Sequence, residues 1–219
     1  MAAVALEFDV YIKELLAVRR DAGVAAPDDI TTSLLGEKVG GRLLEDVEIV
    51  SILRNWTVGE LSTIAASVGI LAHYLADHPK VQQLLREQPS SLPTAIDEIL
   101  RIHGPLISSR RITTKPVEAG GRRLPVGERV TLMWASANRD EDVFGDPGEF
   151  RLDREPSENL LYGAGVHVCP GAPLARLELR VVMGELLERT KHIDLVPGKE
   201  PVKATYPASG FSSLPLLIR

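Results

Sequence analysis

The sequence holds a single cysteine, Cys169, in 219 residues. One thiol excludes an internal disulfide framework and fits a reducing compartment. A basic block is missing too: 25 Lys and Arg stand against 30 Asp and Glu, for a formal net charge of −5. That balance argues against nucleic acid as a partner. No internal repeat and no low-complexity linker is present. The first residues have no basic segment ahead of an apolar one, so no signal peptide is expected. The longest apolar-leaning stretch, Val58 to Ala76, is interrupted by Glu60, His73 and several Ser and Thr. It reads as a buried helix rather than a membrane span. These absences predict a cytoplasmic protein with no membrane and no nucleic-acid partner.

What is present supports a sizeable core. The apolar fraction is 44%, too high for wholesale disorder. The length allows one large or two small domains. Apolar residues Phe8, Ile12, Leu15 and Leu16 predict an amphipathic helix over residues 6–22. Asp28 and Asp29 ahead of Ile30, Leu34 and Leu35 predict a second, short helix, and Gly36, Gly40 and Gly41 a loop. A long helix begins near Glu45 and Asp46, whose charges suit a helix start, and ends near Asp77, where His78-Pro79 breaks it. Gly59, Ala65, Ala66, Ser67 and Gly69 make its middle slim. A slim face admits something flat, or simply tight helix packing.

Helices follow over residues 79–87 and 93–103, each with an early Pro. Strands are expected over residues 107–113 and 130–134, with a turn at 118–122. Residues 138–159 form an ordered meander anchored by Phe144, Phe150 and Leu152. A helix over 172–190 carries Leu174, Leu177, Val181, Leu186 and Leu187 on or near one face. The tail reads as short strands with Pro-containing turns.

Three clusters carry chemistry. Cys169 lies in the glycine-rich run Tyr162-Gly163-Ala164-Gly165-Val166-His167-Val168-Cys169-Pro170-Gly171, just ahead of a helix. Backbone N–H groups and the positive helix end stabilise a thiolate in such a place, and a thiolate held that way can ligate a haem iron. Glu98 and Arg101 lie three apart, on one helix face. Alone they are an ordinary pair; a second arginine from the meander, Arg154, would close a buried cluster that fixes the fold. Arg110 and Arg111 suit the carboxylates of a cofactor, and read alone they are equally a solvated strand end. His167 is open to the same two readings.

Taken in order, these features resemble the C-terminal half of a bacterial-type cytochrome P450, a haem-thiolate monooxygenase. That family carries Phe-Gly-x-Gly-x-His-x-Cys-x-Gly at its haem loop, and only Tyr162 departs from it here. The family's Glu-x-x-Arg helix matches Glu98 to Arg101, its meander matches Pro147, Phe150 and Arg154, and Ala137-Asn138-Arg139-Asp140 matches a further segment. The resemblance implies a mainly α fold with small β-sheets, a single partial P450 domain over residues 1–219. It implies haem b, iron protoporphyrin IX, with Cys169 as the axial thiolate and metal ligand. Arg111 and His167 become propionate partners, and Gly163, Gly165 and Gly171 let the backbone approach the ring. Tyr162 and Gly59 complete the cofactor site. The implied activity inserts one atom of O2 into a small organic substrate. Electrons come from NAD(P)H through a ferredoxin or flavodoxin-type donor.

Two departures qualify that expectation. The family places Ala/Gly-Gly-x-acid-Thr-Thr where oxygen is bound and protonated; here the run is Val58-Gly59-Glu60-Leu61-Ser62-Thr63. Aligned so, Leu61 replaces the acid and Ser62 the key threonine, with Glu60 about 100° away around the helix. The catalytic candidates are therefore Ser62, Glu60 and Thr63. The second departure is extent: the family's N-terminal half, with its pocket lid, has no counterpart here. The alternative function is thus a truncated, non-catalytic fragment, or a haem-binding half-module that pairs with a separate N-terminal half. Further pocket-lining candidates by resemblance are Asn55, Leu106 to Ser108 and Ser209 to Ser212.

Overall fold

The computed structural model describes residues 2–219. It is mainly helical, with five two-stranded antiparallel sheets among the described residues. The chain divides after Ser62 into two compact units.

The first unit is built from helices α1 (Ala2–Ala22), α2 (Ile30–Gly36) and α3 (Asp46–Val58). Asp29 caps α2, its Oδ1 accepting the Thr32 N–H at 3.0 Å, which satisfies a donor that every helix start leaves open. The glycine loop is a hairpin pairing Lys38–Val39 with Arg42–Leu43. Its turn residues Gly40 and Gly41 have φ of +60° and +84°, a region that side chains disfavour. α3 opens with a capping box, in which the Glu48 carboxylate accepts the Glu45 N–H at 2.8 Å. Ile12, Leu16, Leu34, Ile49 and Val50 form the core of this unit. Arg54 pairs with Asp9 at 2.9 Å across its edge.

The second unit holds α4 (Ala65–Asp77), α5 (Pro79–Glu87), α6 (Leu92–Ile102), the short α7 (Trp134–Ala137) and α8 (Glu141–Phe144), and α9 (Ala172–Arg189). Leu71, Leu75, Leu85, Ile99, Leu179 and Met183 meet in its core. Burying each is worth about 1.5–3 kcal/mol. Gln82 sits inside that core with its amide satisfied. It donates to the Leu75 and Ile193 carbonyls at 3.2 and 3.0 Å and accepts the Ile193 N–H at 3.1 Å. The Arg86 guanidinium donates to the Leu187 and Thr190 carbonyls, closing α9 with a cation where the helix end is negative. In the tail, Ile193–Leu195 pairs with Leu216–Ile218, and Val202–Lys203 with Phe211–Ser213.

α3 and α4 belong to one helix of 32 residues, Asp46–Asp77, joined by a π-helical segment at Gly59–Ile64. By length and composition it is the one helix among the described residues able to cross a membrane. Its residues Ile70, Leu71, Ala72, Tyr74 and Leu75 are buried in the second unit.

Two expectations need correction. The strand expected to reach Trp134 ends at Leu132, because Trp134 starts the turn of α7. On α9 the inward face is Leu179, Met183 and Leu187, spaced four apart, whereas Leu174, Leu177 and Val181 are about half exposed, at 49%, 46% and 51%.

Candidate functional site

Two groups of charged side chains flank α6. The first is closed. Arg101 Nε and Nη2 donate to the two oxygens of Glu98 at 2.7 and 2.9 Å. Arg154 Nε adds a third bond to Glu98 at 2.9 Å, and the Arg151 N–H a fourth at 3.2 Å. The remaining arginine donors reach meander carbonyls: Arg101 to Asn138 and Pro147 at 2.6 and 2.9 Å, Arg154 to Phe144 at 2.6 Å. The Arg101 guanidinium also lies 4.6 Å from the Phe144 ring centroid. Arg101 and Glu98 are 1% and 5% exposed. Burial alone would push the Glu98 carboxyl up, but the bonds from Arg101, Arg151 and Arg154 outweigh it and hold it below the usual range. With both carboxylate oxygens and every guanidinium nitrogen engaged, this cluster fastens the meander to α6.

The second group is open. A cleft of about 290 Å³ lies within the second unit. Cys169, His167, Gly163 and Tyr162 line it together with Thr63, Ile64 and Ser67. Apolar walls come from Leu100, Leu106, Trp134, Leu161 and Leu179. Arg111 enters from the strand Ser109–Ile112, paired with Arg129–Leu132. Alternation along that strand decides which arginine serves the cleft: Ser109 and Arg111 point inward, Arg110 and Ile112 outward. Arg111 Nη1 donates to the Arg110 carbonyl at 2.9 Å and to Ser109 Oγ at 3.3 Å, and Trp134 Nε1 donates to the same Oγ at 3.0 Å. Neither Arg111 nor His167 takes part in an ion pair among the described residues.

The cysteine loop is a tight reversal. The Cys169 N–H donates to the Tyr162 carbonyl at 2.8 Å and the Val168 N–H to Gly165 at 3.1 Å. Gly163 has φ +75°, and a Cβ there would meet the His167 carbonyl at 3.2 Å. Gly165 has φ +63°. A Cβ on Gly171 would sit 3.8 Å from Cys169 Sγ. The loop leaves the free thiol exposed at the cleft rather than folded into the core. Asn138, a buried residue of the Ala-Asn-Arg-Asp segment, ties the loop to the charge cluster. Its carbonyl takes the Arg101 bond, and its Oδ1 accepts the Leu160 N–H at 2.8 Å.

The candidates separate on this geometry. Cys169, His167, Arg111, Gly163, Tyr162 and Thr63 share the cleft. Gly165 and Gly171 shape its loop. Ser62 is exposed, and its hydroxyl donates to the Val58 carbonyl at 2.5 Å. Glu60 is exposed, and Gly59 opens the π segment in right-handed helical conformation. Leu106 lines the cleft, whereas the buried Ser108 bonds Tyr206 through its hydroxyl at 2.6 Å. Ser209 to Phe211 lie beside Ile70 and His73, at a separate hollow. Trp134 and Leu161 were not singled out in the sequence as site residues, whereas Ser67 belongs to the slim stretch of the long helix. Ser67 Oγ bonds the Thr63 carbonyl at 2.7 Å, so the spacing of hydroxyl residues around Gly59 was the available signal for a distorted helix at a site.

This donor set fits haem. A thiol is a soft iron ligand, two groups able to carry positive charge face no carboxylate, and the walls between them are apolar. Gly163 and Gly171 keep the loop narrow where it carries the sulfur.

Comparison with known proteins agrees. The sequence model of the family described as cytochrome P450 matches residues 4–218. The methyl-branched lipid omega-hydroxylase of Mycobacterium bovis is 38% identical over 191 residues, covering 85% of this chain and 44% of that protein. The cyclomarin C epoxidase CymV of Salinispora arenicola is 33% identical over 168 residues, covering 77% of this chain and 42% of its own. The crystal structure of CYP109E1 from Bacillus megaterium in complex with testosterone superposes with a TM-score of 0.88 at 30% identity, over 100% of this chain and 59% of that one. The chain spans about half the length of the curated relatives it matches.

Proposed function

The chain belongs to the cytochrome P450 family and has the C-terminal part of that fold, and on that premise we propose that it carries the haem-thiolate site of a cytoplasmic monooxygenase. Cys169 would hold the iron of the haem through its thiolate, a ligand that favours O–O cleavage. Arg111 and His167 hold the propionates, Arg111 by paired N–H donors. Gly163, Gly165 and Gly171 let the loop backbone pass close to the ring, and Tyr162 closes the loop from behind. When bound, haem b supplies the activation of O2 and the transfer of one oxygen atom to a small organic substrate. The electrons derive from NAD(P)H through a ferredoxin or flavodoxin-type protein.

On the oxygen side, Thr63 is the better supported hydroxyl. It lines the same cleft as Cys169, whereas Ser62 is exposed and outside that lining. A threonine there donates and accepts hydrogen bonds and holds a proton next to the ligand. Glu60 lies exposed beside it in sequence.

One observation carries this reading: the sole thiol, Arg111 and His167 open onto a single apolar cleft. The test is reconstitution with haem, then reduction under carbon monoxide. The thiolate-ligated absorption band is expected for the wild type and is lost in Cys169→Ala. Haem bound with an identical spectrum in both proteins overturns the assignment.

A second reading, a haem-binding half that works with a separate polypeptide, draws on the exposed apolar residues Leu174, Leu177, Val181 and Val182 of α9. Monooxygenase turnover by the chain alone decides against it.

A further inference from the structure

Tyr162 stands where the family loop has Phe, and its extra hydroxyl is buried with no protein hydrogen-bond partner. The Arg176 guanidinium lies over its ring, 4.4 Å from the centroid. Arg176 Nε in turn donates to Asp97 Oδ2 at 2.9 Å, and Asp97 Oδ1 is a second buried oxygen without a partner. Three elements meet here. Asp97 comes from α6, Arg176 from the second turn of α9, and Tyr162 from the entry to the cysteine loop. Tyr162 also supplies the carbonyl that accepts the Cys169 N–H at 2.8 Å.

As an isolated ion pair, Arg176 with Asp97 would count for little, since Arg176 is 54% exposed. The surroundings make it more than that. Burial pushes the Asp97 carboxyl up, and Arg176 opposes the shift. Burial likewise pushes the Tyr162 hydroxyl up to about 12, with Asp97 adding to the effect and Arg176 opposing it. One cation thus pairs with a desolvated carboxylate and covers a ring face at once, and it bridges the two chain segments that enter and leave the cysteine loop.

We propose that Asp97, Arg176 and Tyr162 form a latch across the base of the cysteine loop, with Arg176 a positioning residue that acts on Cys169 through Tyr162. The ring, pinned by the cation, fixes the Tyr162 peptide. That peptide fixes the Cys169 N–H, and with it the direction in which the sulfur leaves the loop. The importance of this direction for an iron ligand rests on the haem reading above; the latch itself does not.

Hydrogen exchange of the Cys169 amide, followed by NMR in the full chain, reads the latch without any haem. In Arg176→Ala this amide exchanges about threefold to tenfold faster. The amides of Ile99 and Leu100 in α6 keep their wild-type rates. Arg176→Lys retains the charge over the ring and returns the Cys169 rate to within about twofold of wild type. Asp97→Asn gives an intermediate rate, and its effect is not additive with Arg176→Ala. On haem reconstitution, Arg176→Ala shows a smaller thiolate-ligated fraction under carbon monoxide than Arg176→Lys. Unchanged Cys169 exchange in folded Arg176→Ala overturns the latch. So does an acceleration shared equally by α6, which would mean general loosening. A wild type without the thiolate band refutes the haem reading instead, and the exchange rates still decide the latch.

Discussion

The two charged groups beside α6 use the same chemistry to opposite ends. Around Glu98 every strong donor and acceptor is met within the chain, by two arginines, a backbone N–H and meander carbonyls. Around Cys169 the cation Arg111 and the imidazole of His167 are left facing an apolar cleft with no carboxylate opposite. A saturated cluster cannot offer anything to a ligand without breaking, so it holds the fold. An unsaturated one contributes little to the fold and is available to a group that brings its own anions. The contrast also explains why residues so near one another differ in burial: Arg101 is 1% exposed and Cys169 is open.

The sharpest way to break this contrast is to remove one partner from the saturated side. Arg101→Ala leaves a buried Glu98 short of its main partner. It should destabilise the chain by about 3–5 kcal/mol in urea unfolding. Arg111→Ala should change stability by no more than about 0.5 kcal/mol. Equal losses in the two variants would erase the distinction. The open side has its own signature. Arg111→Ala should weaken haem binding by about tenfold or more, the value of one charge-assisted bond, and His167→Ala by less. Retained affinity in Arg111→Ala would remove it from the propionate role.

Acid sharpens the comparison further. The native pKa of Glu98 lies below its unfolded value, so between the two the unfolded chain binds more protons. Its contribution to stability is full above the ordinary glutamate range and is lost as pH falls through the lowered native value. Glu98→Gln, weaker overall, should therefore lose stability less steeply on acidification, and an acid limb parallel to wild type would contradict this. The smallest expected effect separates neighbouring hydroxyls. Thr63→Ala should lower product formed per reducing equivalent in a reconstituted assay, and Ser62→Ala should leave it within about twofold. The reverse ranking would restore Ser62 to the oxygen side.

The sequence made the site's donors legible, because their types are rare or oddly placed: a sole cysteine among glycines, and an arginine three residues after a glutamate. It also placed the long helix ends, at Asp46 and before His78-Pro79, since caps and proline are local signals. It could not show where hydroxyl groups point. Ser62 and Thr63 are adjacent on the π segment at Gly59–Ile64, and there Thr63 lines the cleft while Ser62 does not. The inward face of α9 was legible only in part for a similar reason, since Leu187 turns into the core while Leu174, Leu177 and Val181 stay about half exposed. Leu174, Leu177 and Val181 continue an apolar pattern, but the neighbours that decide burial, Leu75, Ile99 and Met183, come together only in three dimensions. The Arg176 contact with Tyr162 is long-range in the same sense, joining a loop entry to a helix with no periodicity to announce it.

The most direct measurement is urea unfolding of wild type and Cys169→Ala, each with and without haem. The two proteins should unfold at the same midpoint without haem, because the exposed thiol supports nothing in the fold. Added haem should raise the wild-type midpoint by linkage and raise that of Cys169→Ala much less. A haem-free midpoint that falls sharply in Cys169→Ala, or a haem-dependent rise of equal size in both, would contradict the division between a cluster that holds the chain together and the open cleft proposed to take haem.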